Sequence, residues 1–124
     1  MLGNANANAV LAVKDMVVAR QFYEGTLGLT VEHDSEHEVV YKSGESVLSI
    51  YPSSYAGTNQ ATAASWEVPN VEEAVAELQG KGVTFEEYDM EGVERNGAVH
   101  TMGNNKSAWF KDPDGNILCL HQKV

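Results

Sequence analysis

The chain has 124 residues, enough for one domain with a sizeable core, and its 43% hydrophobic content is that of an ordinary globular protein. The net charge of −10 argues against DNA, RNA and anionic lipid as partners. A single cysteine, Cys119, excludes an intramolecular disulfide and a cysteine-based zinc cluster, and no apolar run approaches the roughly 20 residues that span a bilayer. Because the N-terminus lacks signal-peptide features, we expect a cytoplasmic protein.

The first half of the sequence predicts one strand, one helix and three further strands. Residues 8–13 form a short apolar run typical of a strand, and Asp15 stands where it can cap the following helix. Apolar residues at helical spacing extend this helix to Leu27, and Gly28 is suited to end it. Three strands are then predicted, at residues 30–33, 39–42 and 47–51. The polar, turn-rich residues 52–62 are predicted to form a connecting loop.

The second half starts the same pattern again. A strand at residues 63–68 leads to a helix capped by Asn70, with Glu73 three residues later as in a capping box. A polar loop is predicted at residues 89–97. Strands are predicted around it, at residues 83–88, 99–102, 107–110 and 117–122.

The two halves agree at an offset of 55 residues, which places Asp15 opposite Asn70 as helix caps. This internal repeat predicts an α+β fold class, a single domain over residues 1–124 built from two βαβββ modules at residues 8–54 and 61–124. One helix covers only one face of a sheet. The paired modules are therefore expected to form a cup-shaped mixed sheet with helices on its outer face, and the cup is the default place for a ligand.

The segment Asp112-Pro113-Asp114-Gly115 predicts a tight turn between the last two strands. Pro113 presets the backbone angle of the second turn position, and Gly115 adopts positive φ without strain. Apolar runs flank this turn on both sides, so the whole stretch predicts a hairpin in a half-buried sheet.

The repeat and four motifs together resemble the vicinal oxygen chelate superfamily, which contains glyoxalase I, extradiol dioxygenases, and fosfomycin- and bleomycin-resistance proteins. The motifs are Val13-Lys14-Asp15-Met16, Phe22-Tyr23-Glu24, Leu27-Gly28-Leu29 and Trp109-Phe110-Lys111-Asp112-Pro113-Asp114-Gly115-Asn116. The resemblance covers the whole chain and implies paired βαβββ modules, a cup-shaped site and a homodimer. It does not imply one reaction, because the fold hosts many.

The resemblance also implies where a metal would bind. Enzymes of this superfamily hold a divalent cation with His, Gln or Glu at positions that here carry Asn8, Ser49, Ala63 and Cys119. Such a cation needs several carboxylate or imidazole donors, so we expect no metal and no cofactor. A replacement set is an alternative that the spacing does not support, made of Glu67, His100 and His121. His33 and His37 lie in an acidic turn region, residues 32–38, and are expected at the solvated surface.

Three residues are candidates for catalysis. Cys119 would need a base or a positive field to form a thiolate, and His121 lies two residues away on the same predicted strand face. His121 and His100 are the candidate general bases. The competing interpretation is that Cys119 is inert packing in an apolar strand.

Strand alternation and the family resemblance predict the residues that line the cup. They are Asn8, Val10, Ser49, Tyr51, Trp109, Ile117, Cys119 and His121. Trp66 has the opposite parity and is expected in the core. A lining that is mostly apolar and aromatic suits a flat or cationic organic molecule.

These features favour a binding protein that holds a small organic molecule, such as an antibiotic or toxic compound, without the usual catalytic metal, and the resemblance implies that it is a homodimer. Whether it catalyses a reaction stays open. The alternative is a lyase or dioxygenase of the same superfamily, either metal-dependent through displaced ligands or metal-independent with a histidine base. A third alternative is an interaction module whose cup is filled by its own side chains.

Overall fold

The structure, a computed structural model, describes residues 1–123, and the chain divides into two compact units, Met1–Thr58 and Asn59–Val124. Each unit contains one sheet and one capped helix, and the predicted α+β class with βαβββ modules is confirmed. In residues 1–123, no helix has both the length and the apolar character that crossing a membrane requires.

The first unit has four strands in the spatial order β1-β4-β3-β2, with β1 parallel to β4 and the other pairs antiparallel. Its elements are a short 3₁₀ turn (Leu2–Asn4), β1 (Ala9–Val13), α1 (Met16–Arg20), a π-helical turn (Gln21–Thr26), β2 (Thr30–Asp34), β3 (Val39–Ser43) and β4 (Ser46–Pro52).

Helix α1 begins at the predicted cap, but it ends at Arg20, and a π-helical turn forms the rest of the predicted helix. The Asp15 carboxylate accepts hydrogen bonds from the amides of Val17 and Val18 at 2.9 and 3.2 Å, which satisfies two amides that have no partner within the helix. The helix continues into the π-helical turn, where the Leu27 amide donates to the Phe22 carbonyl at 2.9 Å. Gly28 then takes a φ of 75°, a conformation that glycine adopts at low cost.

One face of the first sheet forms the core of this unit. Tyr23, from the π-helical turn, stacks on Tyr41 of β3 with ring centroids 6.1 Å apart. The buried sheet residues alternate along each strand, as period-2 geometry requires: Leu11, Val13, Val39, Tyr41, Leu48 and Ile50. The residues between them therefore point to the other face of the sheet.

A charged cluster joins the helix to the sheet. The Arg20 guanidinium donates to Glu24 Oε2 and to Asp34 Oδ2, both at 2.7 Å, and the Tyr41 hydroxyl donates to Glu24 Oε2 at 2.8 Å. The hydrogen bond from Arg20 holds the pKa of Glu24 below its usual range. Burial of the phenol and its bond to the Glu24 carboxylate raise the pKa of Tyr41.

The described residues of the second unit form five strands in the order β5-β9-β8-β7-β6, with β5 parallel to β9. Its elements are β5 (Thr62–Glu67), α2 (Val71–Gly80), β6 (Glu94–Asn96), β7 (Val99–Met102), β8 (Asn105–Lys111) and β9 (Ile117–Lys123). Asn70 caps α2 as predicted, because its side chain accepts from the Glu73 amide at 2.9 Å. Trp66 lies on the core side, stacked on Phe110 at 6.5 Å.

The predicted strand at residues 83–88 is wrong. The segment makes a single bridge between Phe85 and Phe110, and the Glu86 amide donates to the Trp109 carbonyl at 2.8 Å. The next amide that a ladder would use, that of Tyr88, donates instead to the Nε2 atom of His100 at 2.9 Å. The His100 side chain thus replaces the carbonyl group of a neighbouring strand as the acceptor, and the hydrogen-bond ladder with β8 does not continue.

The predicted loop at residues 89–97 contains a short strand, β6, that the sequence pattern does not predict. Strand β6 pairs with β7 from Glu94 opposite Thr101 to Asn96 opposite Val99. Gly97, with a φ of 61°, opens the two-residue turn between them. The turn residues are Gly97 and Ala98, with Asn96 as the last residue of β6, and the charged residues of this segment favoured the loop prediction.

The hairpin between β8 and β9 is organised by the buried carboxylate of Asp112. Its Oδ1 atom accepts from the amides of Asp114 and Asn116, both at 2.9 Å, and its Oδ2 atom accepts from Asn116 Nδ2 at 2.8 Å. Gly115 has a φ of 91°, as predicted for this turn. The turn fixes the register of the two strands that carry Trp109 and Cys119.

We predict that Asp112→Ala lowers the free energy of unfolding by about 2–4 kcal/mol, because three donors, two of them on buried Asn116, lose their acceptor. Urea unfolding followed by circular dichroism measures the change. Asp89→Ala is the control, since its carboxylate is exposed and pairs with Arg95, and about 0.5 kcal/mol or less is expected. Equal effects of the two substitutions would contradict this role for Asp112.

We also predict that Glu24 contributes to the acid sensitivity of folding. Its pKa is lowered from 4.5 in the folded chain, so its stabilising contribution is complete above that value and is lost as pH falls through the folded pKa. Between about pH 6 and pH 3, the free energy of unfolding of the wild type should fall by up to about 1 kcal/mol more than that of Glu24→Gln. This value of about 1 kcal/mol is the upper end of what exposed ion pairs contribute to stability. Identical pH profiles for the two proteins would exclude this contribution, and Glu45→Gln, a turn residue, is the control.

Candidate functional site

The open face of the first sheet carries three of the residues predicted to line the site. Val10 pairs with Ser49 in the β1–β4 register, and Ser49 pairs with Val40 of β3. Val10 is 60% exposed and Tyr51 is 40% exposed, whereas Ser49 is buried between its neighbours. Asn8, also predicted to line the site, is exposed and precedes the first residue of β1.

A groove of about 510 Å³ opens on this face of the first unit. Val10 and Tyr51 supply its apolar part, and Ser35, His37 and Glu38 supply its polar rim. Strand alternation predicts the two apolar residues of this lining. It does not predict the rim, because residues 32–38 are mainly charged and are therefore expected at the solvated surface.

Hydrogen bonds hold the rim turn in one conformation. The Ser35 hydroxyl oxygen accepts from the amides of His37 and Glu38 at 3.3 and 3.2 Å, and the Ser35 amide donates to the Glu38 carbonyl at 2.9 Å. His37 Nε2 lies 3.5 Å from the carboxylate of Glu36, and both side chains are largely exposed. The rim therefore presents polar groups on a backbone that is already ordered.

The open face of the second sheet carries the other predicted residues. Trp109 of β8 pairs with Cys119 of β9, and Ile117 and His121 lie two residues to either side of Cys119. All four share a face opposite the buried Leu118 and Leu120. As ligand contacts these residues remain predictions.

Trp109 lies across this face. Its indole nitrogen donates to the Thr62 hydroxyl on β5 at 3.2 Å, although β9 runs between β8 and β5. Adjacent strands are about 4.8 Å apart, so the ring has to cross β9 to reach Thr62. Edge-to-face contacts with His100 at 4.9 Å and with Tyr88 at 5.6 Å hold the indole on its other side.

Cys119 lies beneath this indole and is only 6% exposed. Burial raises the pKa of its thiol, against the opposing effect of a hydrogen bond from Ser107. A thiol that keeps its proton is a poor nucleophile and a poor metal ligand. The structure therefore favours the packing interpretation of Cys119 over the catalytic one.

His100 is fully buried, and both of its ring nitrogens have partners. Nε2 accepts from the Tyr88 amide at 2.9 Å, which leaves the ring proton on Nδ1, where it donates to the Ala98 carbonyl at 2.9 Å. A base or a metal ligand needs a free nitrogen lone pair, and the only one on this ring is occupied. His100 therefore has a structural role: it holds the backbone amide of Tyr88 and packs against the indole ring of Trp109.

His121 is the candidate base that remains accessible. It is half-buried and lies between Glu67 of β5 and Ser107 of β8 in the strand register. The replacement metal set also needs His100, which is two strands away from His121 and hydrogen-bonded at both nitrogens. Within residues 1–123, no group of three His, Cys, Asp or Glu side chains is placed to hold a metal ion.

Residues 7–120 match the model of the Glyoxalase/Bleomycin resistance protein/Dioxygenase superfamily. The chain belongs to this superfamily. The match covers nearly the whole chain and agrees with the resemblance carried by the sequence motifs. Comparison with curated proteins finds no matching sequence.

Solved structures of the glyoxalase superfamily share the fold. A glyoxalase family protein from Enterococcus faecalis has a TM-score of 0.75 at 20% identity, over 98% of this chain and 99% of that chain. Lactoylglutathione lyase from Agrobacterium tumefaciens has a TM-score of 0.73 at 16% identity, over 96% of this chain and 93% of that chain. The fosfomycin resistance protein FosX from Listeria monocytogenes has a TM-score of 0.73 at 15% identity, over 98% of this chain and 94% of that chain. At these identities the likeness shows the fold alone.

The positions at which superfamily enzymes hold their metal do not fit a divalent cation in this chain. Asn8 is exposed ahead of β1, and Ser49 on β4 offers only a neutral oxygen. Ala63 has no donor atom, and the pKa of Cys119 is raised by burial. Hard divalent cations need carboxylate or imidazole donors, and this set supplies neither.

We predict that Cys119 reacts with Ellman's reagent at least about tenfold more slowly in the native protein than in the denatured chain. The reagent reaches a buried thiol only when the structure opens locally, and a local opening free energy of ~1.4 kcal/mol already slows the reaction about tenfold. Trp109→Ala should raise the native rate, because it removes the ring that covers the thiol. Absorbance after mixing measures the rate. Tyr55→Ala, an exposed aromatic in the other unit, should leave it unchanged, and a fast wild-type reaction would contradict the packing role.

Proposed function

We propose that this glyoxalase-superfamily protein binds a small organic molecule, such as an antibiotic or a toxic compound, at the open face of its first sheet and without the divalent metal. The groove beside Val10 and Tyr51 carries the proposal. Its volume of about 510 Å³ is in the range of sites for drug-sized ligands, roughly 300–1,000 Å³. The donor set at the superfamily's metal positions supports a function that does not use the metal.

The groove combines the two properties that ligand sites need. Val10 and Tyr51 expose apolar surface that water solvates poorly, and covering it is worth about 25 cal/mol per Å². Ser35, His37 and Glu38 supply polar groups at one edge, which can orient a ligand. A molecule with a flat apolar body and a polar end fits this distribution.

Two neighbours by fold suggest related roles. The Listeria monocytogenes protein is a fosfomycin resistance protein and the Agrobacterium tumefaciens protein is a lactoylglutathione lyase. The likeness to the fosfomycin resistance protein supports an antibiotic as the ligand. The homodimer implied by the family resemblance belongs to the same proposal, and size-exclusion chromatography with light scattering tests it.

A metal-independent enzyme is the second candidate function, favoured by one observation. His121 lies in register with Glu67 and Ser107 on the open face of the second sheet, and it remains partly accessible. A carboxylate beside an imidazole can orient it as a general base. This arrangement lies in the second unit and is independent of the groove.

We predict that a panel of planar organic molecules contains compounds that raise the melting temperature of the wild type, because a ligand present at 100 times its Kd adds about 2.7 kcal/mol to stability. Tyr51→Ala should abolish the shift, since it removes the aromatic surface of the groove. Differential scanning fluorimetry measures it. Tyr55→Ala is the matched control, because Tyr55 is 76% exposed and is not part of the groove lining.

The same assay separates the binding protein from a metal-dependent lyase or dioxygenase. Ni²⁺, Zn²⁺, Mn²⁺ and Fe²⁺ should give no shift that chelator reverses, and metal analysis of the purified protein should find none at stoichiometric level. One metal per chain, lost in His121→Asn, would overturn the metal-free proposal. An unaltered ligand shift in Tyr51→Ala would overturn the groove as the site.

A further inference from the structure

We infer that the groove of the first unit selects organic cations over neutral and anionic molecules of the same shape. The inference rests on the proposed function, because it assigns a ligand class to the same groove. The observations behind it are the charges of the rim, the position of Glu38 relative to Tyr51, and the ordered backbone of the turn.

The groove lining contains one carboxylate and no lysine or arginine. Glu38 supplies the carboxylate, and His37 is the only other ionisable side chain besides the phenol of Tyr51. Nearby acids differ from Glu38: Asp34 pairs with Arg20 at 2.7 Å, and Glu36 lies 3.5 Å from His37. Among the side chains that the structure describes, no ion pair neutralises Glu38. Its charge is therefore available to a ligand.

The strand register places this carboxylate beside the aromatic ring of the groove. Val39 pairs with Ile50, so one position further Glu38 comes opposite Tyr51. Val39 and Ile50 are buried on the core face, which puts Glu38 and Tyr51 together on the open face. A cation lying over the Tyr51 ring is thus attracted by the π-system and by a neighbouring carboxylate at once.

Basic side chains on this sheet lie outside the groove. Lys42 is four residues from Glu38 along β3, about 13 Å at 3.3 Å per residue, which exceeds the Debye length of about 8 Å at physiological salt. Lys14 follows β1 and is not part of the lining. The field inside the groove is therefore set by the acidic rim and reinforced by the net charge of −10.

Ordering the rim adds little to the cost of binding. The Ser35 hydroxyl and amide already hold the backbone of Glu38 through bonds of 3.2 and 2.9 Å. A ligand has to immobilise only the carboxylate side chain, not a loop. A planar ring with a delocalised positive charge satisfies this site: the ring covers Val10 and Tyr51, and the charge faces Glu38.

The test compares three probes of similar size by fluorescence titration of the full chain. They are thioflavin T, which is a planar cation, its uncharged benzothiazole analogue without the ring N-methyl group, and the anion anilinonaphthalene sulfonate. The cation should bind most tightly and the anion most weakly. Glu38→Gln should weaken thioflavin T binding about threefold, as loss of an exposed ion pair implies, and leave the neutral analogue unchanged. Salt should weaken the cation alone.

Controls keep the two proposals apart. Glu45→Gln removes the same charge from the turn at the opposite end of the β3–β4 hairpin, and it should leave thioflavin T affinity unchanged. Tyr51→Ala should weaken both the cation and the neutral analogue. Equal affinities for the three probes, or equal effects of the two glutamate substitutions, would overturn the charge selectivity while the binding function stands. Failure of all probes to respond to Tyr51→Ala would overturn the groove itself.

Discussion

The covering of each sheet by a single helix is the constraint on which the rest of this structure depends. Strand alternation then divides every strand into a buried set and an open set, and neighbouring residues have opposite roles. Ile50 is fully buried and Tyr51 beside it is 40% exposed. Phe110 is fully buried, while Trp109 before it lies on the open face. The strand residues of both candidate sites lie on these open faces.

The two units use their open faces differently, and the register shows why. Ser49 pairs with Val40 in the first sheet, and the corresponding pair in the second is Cys119 with Trp109. Valine has the smaller side chain of the two, and the groove beside Tyr51 opens on this face of the first sheet. Tryptophan crosses the neighbouring strand and covers it. The size of the side chain at this paired position therefore differs between the two open faces.

Local chemistry allowed much of the fold to be predicted from the sequence. The caps at Asp15 and Asn70 and the turn around Asp112 each depend on residues within four positions of one another. The predictions that failed concern residues whose contact partners lie far away in the sequence. The segment at 83–88 does not form a strand, because His100, twelve residues on from Tyr88, takes its amide proton. The packing role of Cys119 likewise depends on the indole of Trp109. Strand alternation predicts the face of the sheet on which this indole lies, but it does not predict that the ring crosses β9 to reach Thr62.

The position of charge in this molecule explains why a cation site and not a metal site is expected on the first sheet. Two ion pairs involve helix residues, Arg20 with Glu24 and Lys106 with Glu72, and the positions at which superfamily enzymes hold a metal carry Asn8, Ser49, Ala63 and Cys119. The charge that remains near the groove belongs to a turn. Because Ser35 holds that turn through its own hydroxyl and amide, the side chains at 37 and 38 can change without disturbing the sheet. Ligand selectivity is thereby separated from folding: the strands determine the shape of the groove, and two exposed turn residues determine the charge it accepts.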